Sequence, residues 1–217
     1  EDHGLRCDIA MVPDGGTIDE IVVEEKGILQ LKLEASGTSC HAARPWLGAN
    51  ALTQLLATLE HIEALFPPLS GPHYWHETCS IARIETPNRS VNRVPSHATA
   101  TLDVRFPAPA SSQDQLKRIT QVLETGVSAT PLIIAEPTRL DPDPAFFDAC
   151  REVLGHRPRP LREHGGSDAR FIASRGIPVI MSRPLCGRLH SRQEWIDIES
   201  MLQFYEIYRR YLEGRLT

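Results

Sequence analysis

The stretch LQLKLEA at residues 29–35 alternates apolar side chains with Gln30, Lys32 and Glu34. Alternation with a period of two is typical of a half-buried β-strand, because successive side chains point to opposite faces of a sheet. The apolar face belongs to a core, whereas the polar face is expected to meet solvent or a dimer partner. The stretch therefore predicts a sheet that is buried on one side.

The segments that follow this strand continue a regular pattern. Apolar residues at helical spacing predict a helix that Pro67-Pro68 ends: Leu52, Leu55, Leu56, Leu59, Ile62 and Phe66. Four further elements are predicted in chain order: strands at 79–84 and 98–106, a helix from Ser111 to about Glu124, and a strand at 132–135. This β-α-β-β-α-β order over residues 27–136 is that of an α+β ferredoxin-like domain.

The flanking segments, residues 1–26 and 137–217, form a second pattern of alternating strands and helices. Residues 8–13 read as a buried strand that ends in the turn Asp14-Gly15-Gly16, and residues 179–181 read as another strand. The last helix carries apolar residues on one face: Ile198, Met201, Leu202, Tyr205, Tyr208 and Leu212. An α/β domain with a partly parallel sheet is predicted. Its strands are too few to build such a sheet alone, so we expect the α/β domain to be incomplete.

Composition excludes several classes of function. The chain has 217 residues and a net charge of −5, without a run of basic residues, which argues against nucleic-acid binding. No apolar run approaches the roughly 20 residues that a membrane helix needs. The five cysteines are spread out and never form a Cys-x-x-Cys pair, which indicates reduced thiols in a cytoplasmic protein. A small-molecule partner is favoured.

Polar residues in turns after apolar strands are the candidates for chemistry. They are Asp14, His41, the segment Ser167 to Arg170, and His190. Each has a structural alternative. Asp14 suits a turn, either histidine could be a surface or packing residue, and Asp168 could cap the helix that follows it. Spacing alone gives only weak support for a metal site, because a zinc ion needs about four donors.

Several motifs in a fixed order resemble the aminoacylase and succinyl-diaminopimelate desuccinylase superfamily of zinc-dependent amidohydrolases. The closing part is similar in GGSDARFIA (165–173), GIPVI (176–180) and LHSRQEWI (189–196). The opening of the family's dimerisation domain is similar to residues 37–52, and its second half to residues 90–105. The resemblance runs from about Asp8 to Leu212.

The resemblance implies a two-metal active site. Asp14 would be a ligand of one zinc ion and His190 a ligand of the other, with cobalt or manganese as alternatives to zinc. Metal-bound hydroxide would attack the amide of an N-acyl amino acid or dipeptide-like substrate. The chain would contribute a zinc-exopeptidase-like catalytic domain in two parts, residues 1–26 and 137–217, around the dimerisation domain at 27–136.

The resemblance also implies roles in substrate binding within a homodimer. His41 would reach across the dimer and stabilise the oxyanion. Asn92 and Arg105 would hold substrate oxygens, although an exposed ion pair is the structural alternative for Arg105. Arg170 and the turn that contains Gly166 and Ser167 would bind the substrate carboxylate, since a guanidinium pairs bidentately with a carboxylate.

The sequence departs from this family in two respects. The family's early His-x-Asp, bridging Asp and Glu-Glu pair have no counterpart here, and Glu24-Glu25 lies in the wrong place to replace them. We expect the chain to be inactive alone and its parent to carry these residues upstream. Second, Arg183, Arg188 and Arg192 add positive charge near His190, which favours an anionic substrate. Two alternatives stay open: a non-catalytic dimerising or amino-acid-binding fragment, and a ureido or carbamoyl amidohydrolase.

Overall fold

In the computed structural model, which describes residues 7–66, 68 and 75–216, the alternating stretch is an inner strand of a four-stranded sheet. The strands are β1 Ala10–Met11, β2 Glu20–Glu25, β3 Gly27–Ser36, β4 Thr78–Glu85, β5 His97–Phe106, β6 Val127–Ala135, β7 Thr138–Arg139, β8 Arg159–Glu163, β9 Val179–Ile180, β10 Cys186–Gly187 and β11 Trp195–Ile196. The helices are α1 Ala51–Glu63, α2 Ser112–Thr120, α3 Pro144–Leu154, α4 Ala169–Ala173 and α5 Ile198–Leu216.

The chain divides into two compact units. The inserted unit is Lys26–Pro137, and the terminal unit combines Glu1–Glu25 with Thr138–Thr217. The inserted unit has the strand order β4-β5-β3-β6, and every neighbouring pair is antiparallel. With α1 and α2 between the strands in sequence, this is the β-α-β-β-α-β arrangement that the sequence predicts.

The core of the inserted unit lies on one face of its sheet. Along β3 the apolar residues Leu29, Leu31 and Leu33 are fully buried, while Gln30 and Lys32 are half-buried, so the predicted alternation is confirmed. Helix α1 begins after Asn50, whose Oδ1 accepts hydrogen bonds from the N–H groups of two residues in the first turn. The helix packs on the buried face of the sheet through Leu55, Leu59 and Ile62.

Two boundaries in the inserted unit differ from the sequence-based expectation. Helix α2 ends at Thr120 instead of continuing to about Glu124, and β6 begins at Val127 instead of residue 132. Strand β6 lies at an edge of the sheet beside β3, and its apolar residues at 132–134 are exposed. An edge strand also tolerates Pro131, because a missing N–H matters less where one side of the strand is unpaired. Pro67, one of the two residues expected to end α1, lies outside the described residues.

The terminal unit contains short sheets around an apolar core. Strands β1 and β9 are parallel, β2 pairs with β7 and β8, and β10 and β11 form an antiparallel pair. The predicted strand at 8–13 is only two residues long, in β1. The core combines strand residues with aromatic residues of α3 and α5: Ile21, Ile180, Phe146, Phe147 and Tyr211.

The face of α5 that the sequence analysis singles out is not the buried one. Ile198, Leu202 and Tyr205 are exposed, whereas Phe204 and Ile207 pack into the core. The helix carries apolar residues on both faces. The Phe146 ring on α3 contacts Tyr211 of the second face and also Tyr208 of the predicted face, which packs against the core. No helix in the described ranges is both long enough and apolar enough to span a membrane. Each of the five cysteines, all of them described, is a free thiol.

Candidate functional site

A cleft opens in the terminal unit where β1 and β9 end. Because these strands are parallel, their carboxyl ends meet at one edge, and the residues that follow them, Asp14 and Arg183, both line the cleft. The cleft has a volume of about 540 Å³. The turn after Asp14 depends on glycine, because Gly16 has a φ of 63° and a Cβ there would lie 2.3 Å from the Glu20 carbonyl oxygen. The sequence thus places a carboxylate at the rim of the cleft.

His190 reaches the same cleft from the connection between β10 and β11. Its backbone lies in the left-handed region, with a φ of 62°, which is uncommon for a residue other than glycine. The His190 N–H donates a hydrogen bond to Glu194 Oε2 at 3.1 Å, and both residues belong to the connection between β10 and β11. Unusual backbone conformations persist where the surroundings fix them, and they concentrate at functional sites.

The donors in the cleft do not complete a metal site. Asp14 and His190 share the cleft with Cys186 and Glu194. Within the described part of the chain, however, no three His, Cys, Asp or Glu side chains are arranged to hold a metal ion. A zinc ion takes about four donors, so these residues could supply only part of a donor set.

Ser167 stabilises the turn before α4 through two hydrogen bonds. The Ser167 hydroxyl accepts a hydrogen bond from the Ala169 N–H at 3.1 Å, and the Ser167 carbonyl accepts one from Arg170 Nη1 at 2.9 Å. The expected capping by Asp168 is wrong, because its side chain makes no capping hydrogen bond and the Ser167 hydroxyl satisfies the helix instead. Ser167 is buried, whereas Gly165, Gly166 and Asp168 are exposed and form the part of the turn that is open to a ligand.

A buried carboxyl group, Glu25, lies behind this turn and was not predicted. Only 1% of Glu25 is exposed, and its carboxyl accepts hydrogen bonds from the hydroxyl and N–H of Ser167. The second oxygen, Oε2, is buried and has no hydrogen-bond partner among the residues that the structure describes. Burial raises the pKa of Glu25, and nearby Glu163 adds to the increase, while Ser167 and Arg170 oppose it. An acidic residue in a strand gives no signal of burial in the sequence.

His41 and Asn92 come together at one end of the inserted unit. The Ala42 N–H donates to the Asn92 carbonyl at 2.8 Å, and His41 forms an isolated bridge with Arg93. His41 Nδ1 accepts a hydrogen bond from the Ala43 N–H at 3.1 Å. A backbone N–H can only donate, so neutral His41 carries its proton on Nε2. Both His41 and Asn92 are exposed.

Arg105 is separated from these two residues along β5. The strand begins at His97, near Asn92, and Arg105 follows eight residues later opposite Ile28, which at 3.3 Å per residue is a separation of roughly 26 Å. Arg105 forms an ion pair with Asp103, with Nε 2.5 Å from Oδ1. Burial opposes ionisation of Asp103, but hydrogen bonds from Arg105 and Gln30 outweigh it and lower the pKa of Asp103. A single protomer therefore does not bring Asn92 and Arg105 to one point.

Comparison with known protein families finds a match for most of the inserted unit. Residues 23–130 match the M20 family's peptidase dimerisation domain. The chain contains an M20 peptidase dimerisation domain. The resemblance to the desuccinylase superfamily is thus confirmed. The inserted unit, which carries His41, Asn92 and Arg105, coincides with the matched M20 domain over most of its length.

Similarity to curated proteins extends beyond the M20 dimerisation domain. The chain is 27% identical over 227 residues to a succinyl-diaminopimelate desuccinylase of Erythrobacter litoralis, a match that covers 99% of this chain and 59% of that protein. It is 30% identical over 223 residues to the desuccinylase of Gluconacetobacter diazotrophicus, covering 97% of this chain and 57% of the relative. The chain thus spans less than two thirds of these relatives.

Solved structures share the fold of both units. The aminopeptidase PepT of Bacillus cereus matches with a TM-score of 0.83 and 21% identity, covering 100% of this chain and 60% of that one. An amidase of the hydantoinase/carbamoylase family from Burkholderia phymatum matches with a TM-score of 0.69 and 19% identity, covering 96% and 55%. The predicted fold class, part of an α/β exopeptidase-like domain with an inserted ferredoxin-like domain, is confirmed.

Proposed function

We propose that the protein is a metal-dependent hydrolase that cleaves the amide bond of an N-acyl amino acid or a dipeptide-like substrate. The observation that carries this proposal is that Asp14 and His190, from separate segments of the chain, line one cleft. Carboxylate and imidazole are both common zinc ligands. The match to desuccinylases across almost the whole chain supports the same type of reaction.

The metal site is proposed to be composite. Asp14 and His190 would each hold one of two ions, zinc by preference and cobalt or manganese as alternatives. The other donors would come from sequence corresponding to the part of the relatives that this chain does not span. When bound, such ions polarise the amide carbonyl and supply a nucleophile at neutral pH. The chain alone is accordingly proposed to be inactive.

His41 is proposed to act as the oxyanion donor. Its Nε2 carries the proton because Nδ1 accepts from the Ala43 N–H, so the exposed edge of the ring is a donor. A donor aimed at developing negative charge stabilises the transition state of amide cleavage. The position of His41 on the M20 dimerisation domain supports a role in the partner's cleft within a homodimer.

The separation of Asn92 and Arg105 fits a site that two protomers share. Asn92 Oδ1 accepts from the Ser90 hydroxyl, which leaves the amide NH₂ group to donate to a substrate oxygen. Since Arg105 lies at the far end of β5, one substrate would meet Asn92 and His41 of one protomer and Arg105 of the other. Arg170 and exposed Gly166 would bind the substrate carboxylate.

Activity of the complete protein tests this function. The protein, expressed from its full coding region and loaded with zinc, is expected to hydrolyse at least one member of a panel of N-acetyl, N-succinyl and N-carbamoyl amino acids and dipeptides. Hydrolysis of only the N-carbamoyl compounds would shift the reaction to the ureido class. No hydrolysis of any member by zinc-loaded, folded protein would remove the proposal in favour of a non-catalytic, dimerising or amino-acid-binding role.

A further inference from the structure

Glu25 lies at the carboxyl end of β2, beside the end of β8. The two strands are parallel, and the last pair in their register joins Glu25 to Glu163. The carboxyl ends of parallel strands meet at one edge of a sheet, and ligand sites of α/β proteins gather at that edge. The turn at residues 164–168 follows β8 directly. Glu25 is therefore placed beside the turn to which the substrate carboxylate is assigned above.

Ser167 connects this buried carboxyl group to the turn. The Glu25 carboxyl group accepts hydrogen bonds from the hydroxyl and the N–H of Ser167. The Ser167 hydroxyl also accepts from the Ala169 N–H at 3.1 Å, and the Ser167 carbonyl accepts from Arg170 Nη1 at 2.9 Å. The start of α4 and the Arg170 guanidinium are thus both bound to Ser167, which is itself bound to Glu25.

The inner side of the turn is buried at a cost, whereas its outer side is open. Glu25 Oε2 is buried and finds no hydrogen-bond partner among the described residues. Burial of such an oxygen is unfavourable, and a role at a functional site is one reason why native proteins retain it. On the outer side, Gly165 and Gly166 are exposed, and a Cβ at Gly165 would meet no described atom within 4 Å apart from its chain neighbours.

We propose that Glu25 is a positioning residue that holds Ser167 and thereby preforms the outer side of the turn for the substrate carboxylate. The outer side consists of Gly165, Gly166 and Arg170. This inference rests on the proposed function and deepens it, since it explains how the assigned carboxylate site is fixed before a ligand arrives. Preorganised donors bind more tightly than mobile donors because less ordering is needed on binding. The raised pKa of Glu25 also limits repulsion between its carboxyl group and the bound anion.

Two probes of equal size isolate the contribution of the carboxylate. N-acetylglycine ends in a carboxylate, and N-acetylglycinamide ends in an uncharged amide. The 217-residue chain should bind N-acetylglycine about 10-fold more tightly, because a hydrogen bond to a charged group is stronger than one between neutral groups. In NMR titrations, N-acetylglycine should shift the amide resonances of Gly165 and Gly166. Equal affinities, or shifts confined to other residues, would overturn the proposal.

Two substitutions separate the hydrogen bonds of Glu25 from its size. Glu25→Met removes both acceptor oxygens from a side chain of similar length. It should lower the affinity for N-acetylglycine about 3- to 10-fold, the effect of a typical hydrogen bond, and change the affinity for N-acetylglycinamide less than about twofold. Glu25→Gln keeps a carbonyl oxygen that can accept from Ser167, so it should retain most of the preference for the carboxylate.

Glu24→Met is the matched control, because it makes the same substitution one residue earlier, at a side chain that pairs with Arg162. It should keep the wild-type preference for N-acetylglycine. An equal loss of affinity for both probes in Glu25→Met, or the same loss of preference in Glu24→Met, would reduce Glu25 to a general structural role and overturn the proposal.

A double-mutant cycle tests whether Glu25 acts through Ser167. Ser167→Ala removes the hydroxyl and should also lower the affinity for N-acetylglycine. Residues in one hydrogen-bond network are not additive, so the double variant with Glu25→Met should lose less affinity than the product of the two single losses. A loss equal to that product would show that Glu25 does not act through Ser167.

Turnover by the zinc-loaded complete protein separates this inference from the proposed function. For a hydrolysed substrate that carries a carboxylate, Glu25→Met should raise KM and leave kcat unchanged, because the carboxylate is bound equally in the ground and transition states. A fall in kcat at unchanged KM would overturn the positioning role and leave the reaction standing. If no amide is hydrolysed but the binding preference depends on Glu25, the reaction is wrong and the role of Glu25 stands.

Discussion

Asp14 and His190 line one cleft, although Asp14 follows β1 and His190 lies between β10 and β11. Since each is proposed to bind zinc, His190→Ala and Asp14→Ala should each lower the zinc affinity of the complete protein by at least about tenfold, because loss of a residue that only orients a metal ligand already costs about 10- to 100-fold. Competition with a chromophoric chelator measures this. His156→Ala is the control, because His156 pairs with Asp19 outside the cleft. Equal affinities for all variants would remove both residues from the metal site.

Subunit mixing tests the proposed position of His41. In active protein, dimers of His41→Ala and dimers of His190→Ala should each have little activity. After subunit exchange, half of the dimers are mixed, and one of the two sites in each mixed dimer takes an intact His190 from one protomer and an intact His41 from the other. Activity should therefore recover to about a quarter of wild type. If mass spectrometry proves exchange and no activity returns, His41 does not act across the dimer.

Burial of Glu25 makes stability depend on pH. Its pKa is raised above the ordinary value of 4.5, so its contribution to stability is full below pH 4.5 and is lost as the pH rises through the raised pKa. Glu25→Gln cannot ionise, so its free energy of unfolding relative to wild type should increase from pH 4 to pH 8. Urea unfolding at several pH values measures the difference. A difference that is constant with pH would mean that Glu25 is not protonated preferentially in the folded state.

The backbone before the His41 loop requires a glycine. A Cβ at Gly37 would lie 2.1 Å from the Ala49 carbonyl oxygen, and this backbone atom has little freedom to move. Gly37→Ala should therefore destabilise the protein by about 1–3 kcal/mol. Gly214→Ala is the matched control, because no atom lies within 4 Å of its Cβ position in α5, and alanine is favoured in a helix by up to about 1 kcal/mol. Opposite shifts in urea unfolding are expected, and equal shifts would contradict the steric account.

Local pattern was sufficient to predict the inserted unit. The alternation in β3 and β5 reflects a sheet with one buried face, and the buried faces of both strands follow it. In the terminal unit, β2 and β8 were missed. Strand β8 contains two arginines, a proline and a glutamate, and β2 has three glutamates among six residues, so neither shows a clear period. Their pairing comes from contacts distant in sequence.

The candidate site was predicted in part for the same reason. The turn residues Asp14 and His190 stand out because glycines and a family motif surround them. Glu25, by contrast, is buried by the turn at Ser167, which lies far from it in sequence, and no local pattern reveals such a contact. Likewise, the burial of Ile207 and Tyr211 on α5 depends on their packing against α3 and not on the pattern of the helix itself.

The position of bound zinc in crystals of the complete protein tests the central claim most directly. Anomalous scattering at the zinc absorption edge should place ions in this cleft, with one about 2.0–2.2 Å from an Asp14 carboxylate oxygen and one about 2.0–2.1 Å from a His190 ring nitrogen. Zinc bound elsewhere, or a cleft that stays free of zinc at saturating concentration, would contradict the assignment of this cleft as the catalytic metal site.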